Sequence, residues 1–356
     1  RRAEGEAHGE RAGGVARCVA GDHQGGHHRV FFPLGVAAAA AGYDLKANYN
    51  CPSQVQVGTR AFQNFDSKNQ GVMNMNKAIA VSCDTIWYQI AFDEWLRDGG
   101  LRPKSTPNDY FFKAAQSFKI TQKVGIDLPT ESTSRLADRD YKKSWYLQNK
   151  DFYCNYKERA TKAQQTPFLL QLAAENCVDG DKVRAGDAVN FSIGQGDTVV
   201  TPLKLTQMYA AIGNGGTIWQ ALIAKAIVKT DGTVIQTFAP DKLGTLTAAP
   251  STIKFLQKSL REVVVSGTGA GAFAGFPIEV SGKTGTGQVF GRNPNGSMKD
   301  DTSWFASYAP SKNPRYAVVM MVGQGGFGAS TSGIGVRQIY STLFGVTGNT
   351  VVPGAA

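Results

Sequence analysis

The chain has 356 residues, and 42% of them are hydrophobic, a composition typical of a folded globular protein rather than a disordered one. The net charge is +10, but the basic residues are scattered and no run of Lys and Arg reaches five, so the charge does not indicate a nucleic-acid partner. No stretch has the roughly 18 consecutive apolar residues that a membrane-spanning helix needs. Because the chain begins with Arg1, we expect its true start, with any membrane anchor, to lie upstream.

The cysteines and histidines argue against two common kinds of site. The five cysteines include no Cys-x-x-Cys pair, so a zinc site is not expected, while a disulfide between Cys154 and Cys177 remains an open question. All four histidines lie within the first 28 residues. The rest of the chain therefore cannot contain a Ser-His-Asp triad.

The first half of the chain predicts a leader followed by a folded domain. Residues 1–29 contain no aromatic residue, no Leu and no Ile, so we expect a disordered or non-native leader, and residues 30–356 are predicted to form the folded domain. The segment VFFPLGVAAAAAGYDL predicts an apolar helix that ends near Gly42. Apolar residues at helical spacing on both sides of Ser82 predict a helix, a short loop and a second helix. Residues 99–166 are polar, with Pro103, Pro107 and Pro129 as breakers, and predict a loop-rich stretch.

The second half predicts helices followed by a sheet. Helical patterns occur in TPFLLQLAAEN, TPLKLTQMYAAIGNGG and PSTIKFLQKSLREVVVSG, and Thr230-Asp231-Gly232 predicts the turn of a hairpin. The segments PIEVSGKTGTGQV, TSWFASYAP and RYAVVMMVGQ then predict three antiparallel strands, with a last helix over residues 336–344. This order predicts an α+β fold in which an antiparallel sheet is flanked by helices.

The segment VSGKTGTGQ on the first of these strands carries groups suited to acyl transfer. Lys283 would place a cation beside a reaction centre, and Gly285 would let an extended peptide approach the backbone closely. Thr286 would offer a hydroxyl to a carboxylate and a backbone N–H to an oxyanion. Taken alone, however, a Lys-Thr-Gly triplet is more often a solvated lysine on a strand.

The triplet Ser82-Cys83-Asp84 lies in the predicted loop between two helices. It supplies a hydroxyl and a carboxylate two residues apart, and a tight loop of this kind can direct both groups into one cleft. The alternative is that Ser82 or Asp84 only caps the second helix.

Together the two motifs resemble those of the penicillin-binding proteins, bacterial serine acyltransferases that carry Ser-x-x-Lys, then Ser-x-Asn or Ser-x-Asp, then Lys-Thr-Gly. Ser82-Cys83-Asp84 matches the second motif and Lys283-Thr284-Gly285 the third. The segments AGYDLKANYNCP, VGIDLPTES, SIGQGDTVVTPLKLTQMYAAIGNGG and VSGTG are also similar to family segments and occur in family order. Asp84 in place of Asn resembles the elongation-type class B proteins, penicillin-binding protein 2 and its relatives.

The resemblance implies the penicillin-binding/β-lactamase-like transpeptidase fold and a DD-transpeptidase. Such an enzyme transfers the acyl group of a D-alanyl-D-alanine stem peptide to the amine of a neighbouring peptide. It implies catalytic roles for Ser82, Asp84 and Lys283 and substrate-binding roles for Thr284, Gly285 and Thr286. We therefore expect Ser82, Asp84, Lys283 and Thr286 to line one cleft.

The resemblance also implies the setting of the reaction. No metal or organic cofactor is implied. The implied partners are peptidoglycan stem peptides, β-lactams and membrane proteins of the elongation complex. The implied location is the extracytoplasmic face of the cell membrane.

The family nucleophile is missing from its expected place. Alignment of RVFFP with the first motif puts Arg29 at the serine and Phe32 at the lysine, and neither side chain can act as nucleophile or base at neutral pH. A search for Ser-x-x-Lys finds Ser251-Thr252-Ile253-Lys254, which follows the second motif instead of preceding it. We interpret Ser251 as the N-cap of a helix. The chain as written is therefore expected to be inactive.

Two explanations are open for the missing motif, namely out-of-phase translation of a GC-rich gene upstream of residue 37 and a divergent, noncatalytic relative. A Ser-x-x-Lys motif in a shifted reading frame would establish the first. The functional alternatives are a noncatalytic peptidoglycan- or β-lactam-binding module, and a DD-carboxypeptidase or β-lactamase. Residues 1–29 also lack the two strands that the family places before the serine helix, so the central sheet is expected to expose an edge.

Overall fold

The protein is described by a computed structural model for residues 34–162, 164–289 and 292–347. The predicted leader and the positions aligned with the missing first motif lie outside the described residues. The helices are α1 (Leu34–Ala40), α2 (Met75–Val81), α3 (Asp84–Arg97), α4 (Tyr110–Ser117), α5 (Arg139–Cys154), α6 (Tyr156–Arg159), α7 (Pro167–Asp179), α8 (Ala185–Ser192), α9 (Pro202–Gly213), α10 (Pro250–Val265), α11 (Ala270–Phe273) and α12 (Ile334–Phe344). The strands are β1 (Asn48–Cys51), β2 (Gln54–Val57), β3 (Arg60–Gln63), β4 (Gly71–Asn74), β5 (Thr217–Trp219), β6 (Ala226–Val228), β7 (Val234–Thr237), β8 (Lys242–Thr245), β9 (Ser281–Gly287), β10 (Thr302–Ala309) and β11 (Tyr316–Val322).

The central sheet contains three antiparallel strands in the order β11-β10-β9. Its register pairs Gly285 with Trp304 and Lys283 with Ala306. The predicted α+β class and the three consecutive strands are confirmed. Within the described residues β9, which carries the Lys-Thr-Gly motif, forms one edge of this sheet and β11 forms the other. The expectation of an exposed edge depends on residues outside the described ranges and stays a prediction.

Helices cover both faces of the sheet, and the alternation of side chains along β10 shows how. Trp304 and Tyr308 pack in a core cluster with Leu205 of α9 and Leu256 of α10. Phe305 points to the opposite face, where it packs in a second cluster formed mainly by α11 and α12. Because β10 is buried along its whole length, the position of β9 beside it is rigidly determined.

The predicted helix, loop and helix around Ser82 are confirmed as α2 and α3. Both helices bury apolar side chains in a third cluster, which includes Met75 of α2 and Trp87 of α3. Helix α2 packs against α10, and α10 in turn packs against β9. This chain of contacts brings the α2–α3 turn to the free edge of β9.

Residues 99–166, predicted to be rich in loops, also contain the helices α4, α5 and α6, which the sequence did not predict. Asp138 is the N-cap of helix α5, where its side chain accepts a hydrogen bond from the Tyr141 N–H, and none of the helix residues is fully buried. It packs against α7, and a disulfide joins Cys154 to Cys177. A helix with so little apolar surface lacks the periodic signal that sequence reasoning depends on.

The interpretation of Ser251 as an N-cap is also wrong. Ala249 occupies the N-cap position of α10, Pro250 takes the first turn, and no side chain caps this helix end. Ser251 is an exposed residue of the first turn.

Asn64 holds together the segments that surround the α2–α3 turn. Its side chain is 3% exposed, its Oδ1 accepts the N–H groups of Asp84 (2.9 Å) and Thr85 (3.1 Å), and its Nδ2 donates to the carbonyls of Pro52 (2.7 Å) and Lys68 (3.0 Å). The buried amide of Asn64 therefore provides hydrogen-bond partners for two backbone N–H groups at the start of α3 and for one backbone carbonyl in each of two loops.

A disulfide between Cys51 and Cys83 ties the same turn to the end of β1. Cys83 is the middle residue of the Ser82-Cys83-Asp84 motif, so the link constrains the motif itself. Sequence analysis did not foresee this pair.

Lys204 is a buried cation on the side of α9 that faces the core. Its side chain is 1% exposed, and its Nζ donates to Gln207 Oε1 at 2.7 Å. Burial lowers the pKa of Lys204 to about 8, and the charge of Glu131 raises it less than burial lowers it. Keeping this ammonium charged at neutral pH therefore opposes folding.

We expect Asn64→Ala to lower the free energy of unfolding by about 2–5 kcal/mol, because it leaves several buried backbone groups without partners. Urea denaturation measures the change. Asn69→Ala, which removes an exposed amide that accepts only the Gly71 N–H, is the matched control and should cost less than about 1 kcal/mol. Equal losses for the two variants would contradict the role of Asn64.

We expect Lys204→Met to stabilise the protein by about 1–3 kcal/mol at pH 7. Between the folded pKa of about 8 and the ordinary value of 10.5, the unfolded chain binds more protons than the folded chain, so the stability of the wild type rises with pH. The advantage of Lys204→Met should therefore shrink between pH 8 and pH 10. Thermal unfolding across this range measures it, with the exposed Lys254→Met as control. A gain that is independent of pH would show that charge burial is not its cause.

Candidate active site

A cleft of about 570 Å³ opens between the free edge of β9 and the α2–α3 turn. We call it the main cleft. Its lining comes from five parts of the chain: the loop after β3, the α2–α3 turn, the segment between α10 and α11, strand β9 and the loop after β11. The residues are Phe65, Lys68, Asn69, Gln70, Val81, Ser82, Thr268, Thr284, Gly285, Thr286, Phe327, Gly328 and Ala329.

Lys283 and Ser82 are in direct contact at the wall of the main cleft. The Lys283 Nζ donates to Ser82 Oγ at 3.1 Å, although the two residues are 201 positions apart in the chain. The same Nζ also donates to the Thr284 carbonyl at 3.0 Å and lies 3.3 Å from Thr284 Oγ1. Lys283 is only 2% exposed, so its charge reaches the cleft through Ser82 and Thr284. The expected closeness of Ser82 and Lys283 is therefore present in the structure.

The backbone at Ser82 is in the left-handed region, with φ 59° and ψ 47°. This conformation costs an L-residue about 1–2 kcal/mol, and it ends α2 so sharply that the hydroxyl turns toward β9. Ser82 N–H donates to the Ile79 carbonyl at 3.3 Å, and the next residue is held by the disulfide to Cys51. The turn is thus fixed from both sides.

The threonines of β9 present hydroxyls to the main cleft. Thr286 Oγ1 accepts the Gly328 N–H at 3.3 Å, which leaves its hydroxyl hydrogen to donate to a ligand such as a carboxylate. Thr284 Oγ1 lies 2.7 Å from Thr268 Oγ1. The sequence segment VSGTG therefore contributes to the cleft through Thr268, a residue that motif reasoning alone did not single out.

Gly328 allows a close approach to the backbone of Gly285 within the chain itself. A Cβ atom at Gly328 would lie 2.6 Å from the Gly285 carbonyl oxygen and 2.9 Å from its nitrogen, so the glycine-rich loop rests directly on the strand backbone. The predicted approach of a substrate peptide to Gly285 stays a prediction.

Asp84 lies behind the main cleft rather than in its lining. Its side chain is fully buried, and its N–H donates to Asn64 Oδ1 at the start of α3. Its predicted catalytic role stays a prediction, and any such role would act through the position of Ser82. The aromatic and basic residues of the rim, Phe65, Lys68 and Phe327, carried no sequence signal because they belong to irregular loops.

Two further findings describe the part of the chain that the structure covers. There, no three His, Cys, Asp or Glu side chains come together in a way that could hold a metal ion. Nor does any helix in the described ranges have the length and apolar character needed to cross a membrane.

Known proteins are similar to this chain in sequence. The family model of the penicillin-binding protein transpeptidase domain matches residues 33–341. The peptidoglycan D,D-transpeptidase MrdA of Haemophilus influenzae is 25% identical over 293 residues, which cover 79% of this chain and 38% of that protein. MrdA of Salmonella typhimurium is 23% identical and covers 86% of this chain and 44% of its own length. The chain thus spans less than half of these curated relatives.

Solved structures show the same fold. The structure of PBP2 from Pseudomonas aeruginosa has a TM-score of 0.66 and 22% identity, and the match covers 94% of this chain and 64% of that one. The structure of a complex between PBP2 and MreC from Helicobacter pylori gives a TM-score of 0.63 with 19% identity, covering 90% of this chain and 49% of the other.

The match to the family model extends over most of the chain, from α1 to α12, and includes both observed motifs and the fold that joins them. The fold and the family predicted from the sequence are confirmed. The chain belongs to the penicillin-binding protein transpeptidase domain family.

Proposed function

We propose that this chain is the transpeptidase domain of a peptidoglycan DD-transpeptidase that takes D-alanyl-D-alanine stem peptides in bacterial cell-wall synthesis. The observation that carries the proposal is the 3.1 Å contact between the Lys283 ammonium and the Ser82 hydroxyl beside an open cleft. A lysine in contact with a serine hydroxyl can pass a proton along the pair. In this proposal Ser82 relays a proton, Lys283 supplies the charge, and the backbone and hydroxyls of residues 284–286 hold the peptide.

In this proposal the chain contains the residues that bind the substrate and relay the proton, but it lacks the serine that would be acylated. Arg29 and Phe32 occupy the positions aligned with the family's serine and lysine. We therefore propose that this chain binds stem peptides and β-lactams but does not form an acyl-enzyme.

The proposed location is the extracytoplasmic face of the cell membrane, with the anchor in the full-length protein. Two disulfides, Cys51–Cys83 and Cys154–Cys177, support an oxidising compartment. Membrane proteins of the elongation complex are the proposed partners, because the PBP2 of Helicobacter pylori has been solved in complex with MreC.

A second candidate function is a noncatalytic peptidoglycan-binding or β-lactam-binding module. The absence of a serine at position 29, combined with an intact Ser82–Lys283 contact, favours it. Reversible binding by a protein whose gene truly lacks the first motif would support it over the enzyme.

We expect no stoichiometric adduct when the chain is incubated with a fluorescent penicillin and measured by intact-mass spectrometry. In serine hydrolases, loss of the nucleophile lowers turnover by about six orders of magnitude. The variant carrying both Arg29→Ser and Phe32→Lys should recover part of the labelling. Matched variants with only one of these changes should not.

An adduct on the unmodified chain would contradict this prediction, and peptide mapping would identify the serine. Labelling at Ser251 would mean that the Ser251-Thr252-Ile253-Lys254 sequence is reactive after all. Labelling at Ser82 would mean that Lys283 can activate it as a nucleophile.

We expect the chain to bind N-acetyl-D-alanyl-D-alanine reversibly, and Thr286→Val to weaken this binding about tenfold, the loss expected for one hydrogen bond to a charged group. Lys283→Gln should also weaken it, because it removes the positive charge behind Ser82 and Thr284. Nuclear magnetic resonance titration measures the affinity. Lys68→Gln is the control for charge, because Lys68 lines the same cleft but is exposed and paired with Asp66 at 3.2 Å. Its effect should be about twofold or less. Equal effects at residues 68 and 283 would contradict a specific role for Lys283.

A further inference from the structure

A small pocket lies near the end of α3, away from the main cleft. It has a volume of about 30 Å³ and is lined by residues around the end of α3, the starts of α4 and α5, and α8. We call it the α3 pocket. Helix α3 begins beside Ser82, and Glu94 in the pocket lies ten residues further along the helix, a rise of about 15 Å. None of the residues that line the α3 pocket lines the main cleft, so the two cavities are separate.

Glu94 provides a buried carboxylate oxygen without a partner. The residue is 4% exposed, and its Oε1 accepts a hydrogen bond from Arg97 Nη1 at 2.6 Å, but its Oε2 has no hydrogen-bond partner among the described residues. The nearby Tyr43 hydroxyl lacks a partner in the same part of the chain. Burial raises the pKa of the Glu94 carboxyl, and the charge of Arg97 lowers it by less. A second cation at Oε2 would therefore stabilise the ionised form.

The other charged groups of the α3 pocket already have partners. The two carboxylate oxygens of Asp98 accept the N–H groups of Asn108 at 2.7 Å and Asp109 at 2.8 Å. Asp109 in turn pairs with Arg139 at 2.9 Å, and both side chains are about one fifth exposed, so the pocket reaches solvent on this side. In the described part of the chain, Arg139 is the one cationic residue of the lining, against three carboxylates. The excess negative charge is therefore available at Glu94.

Aromatic side chains form much of the remaining wall. Trp95 is held by a hydrogen bond from its Nε1 to the Val183 carbonyl at 2.8 Å, and the rings of Phe112 and Phe191 pack with their centroids 4.8 Å apart. Tyr110 and Phe111 complete the set. Aromatic rings attract organic cations, and apolar walls favour the methylene groups that carry them.

The composition of the wall favours an organic cation over a metal ion. Calcium and magnesium ions prefer six or more oxygen ligands. Within the described ranges, no group of three His, Cys, Asp or Glu side chains is arranged to hold a metal ion. One free carboxylate oxygen among fixed rings instead matches a single ammonium group on an apolar stem.

We infer that the α3 pocket binds the ammonium end of a linear primary amine, either a free alkylamine or a lysine side chain. The ammonium donates a hydrogen bond to Glu94 Oε2, and its methylene stem lies against the aromatic wall. A volume of about 30 Å³ holds about two water-sized groups, so an ammonium and the adjacent methylene fit, whereas a branched tetramethylammonium ion does not. This inference does not depend on the proposed function.

Two probes represent the two sources of such an amine. They are n-butylammonium chloride and Nα-acetyl-L-lysine N-methylamide, with tetramethylammonium chloride at equal concentration as the control for ionic strength. The readout is the Trp95 indole N–H signal in nuclear magnetic resonance spectra of the full chain, assigned with Trp95→Phe. We expect n-butylammonium to shift this signal saturably and tetramethylammonium to leave it in place. Binding of the lysine probe as well would extend the site to protein side chains, and its failure to bind would limit the site to free amines; both results support the inference.

Glu94→Gln and Asp93→Asn form a matched pair. Each removes one negative charge from α3, but Asp93 does not line the pocket. We expect Glu94→Gln to weaken n-butylammonium binding about tenfold, the loss expected for one hydrogen bond to a charged group. Asp93→Asn should weaken it about twofold or less.

Thermal unfolding of the wild type tests the same inference without a variant, so it stands even if Glu94→Gln does not fold. A ligand that binds the folded state raises the melting temperature, so n-butylammonium should raise it more than tetramethylammonium does. The inference would be overturned by the absence of a saturable shift at Trp95, by an equal shift with tetramethylammonium, or by equal losses of binding in Glu94→Gln and Asp93→Asn. Equal melting temperatures with the two salts would also count against it.

Discussion

The contact between the Lys283 ammonium and the Ser82 hydroxyl is the interaction on which the site depends, because it is made by two layers of the protein that approach each other only after the whole domain has folded. Lys283 is fixed by β9, which is held in register by the fully buried strand β10. Ser82 is fixed by a turn that Asn64 and the Cys51–Cys83 disulfide hold from the other side. The cleft exists where these two rigid parts meet, so the distance between them is set by the core and not by the loops of the rim.

Sequence reasoning predicted the parts of the fold that have strong periodic patterns. Strands β9 to β11 and helices α2, α3, α9 and α10 combine apolar periodicity with recognisable ends, and all of them were found. Helix α5 was missed because it is polar on most sides and is held by a disulfide and by α7. The Ser82-Cys83-Asp84 and Lys283-Thr284-Gly285 motifs were found because the residues of each are close together in sequence. Asn64 was not, because its importance depends on partners from distant segments of the chain.

The positions of Asp84 and Gly285 show why a motif does not define the role of each residue in it. A motif in sequence records which residues occur together, but the fold decides which of them reach the cavity. Asp84 starts a helix and is buried behind Ser82, while the space above Gly285 is partly used by the loop at Gly328. Both residues shape the main cleft through the backbone. Ser82 and Thr286, by contrast, place hydroxyl groups in its lining.

Some local conflicts with the rules of folding lie at the main cleft and the α3 pocket, and others lie elsewhere in the described residues. Ser82 has a left-handed backbone, Lys283 is a buried cation, and Glu94 carries a buried carboxylate oxygen without a partner among those residues. Each is unfavourable for stability alone, and each faces or supports a cavity. The buried charge of Lys204 also lowers the stability of the fold, but Lys204 lines neither cavity. The unfavourable burial of Lys204 therefore results from core packing around α9. A ligand in either cavity could not offset this cost, whereas a substitution of Lys204 could remove it.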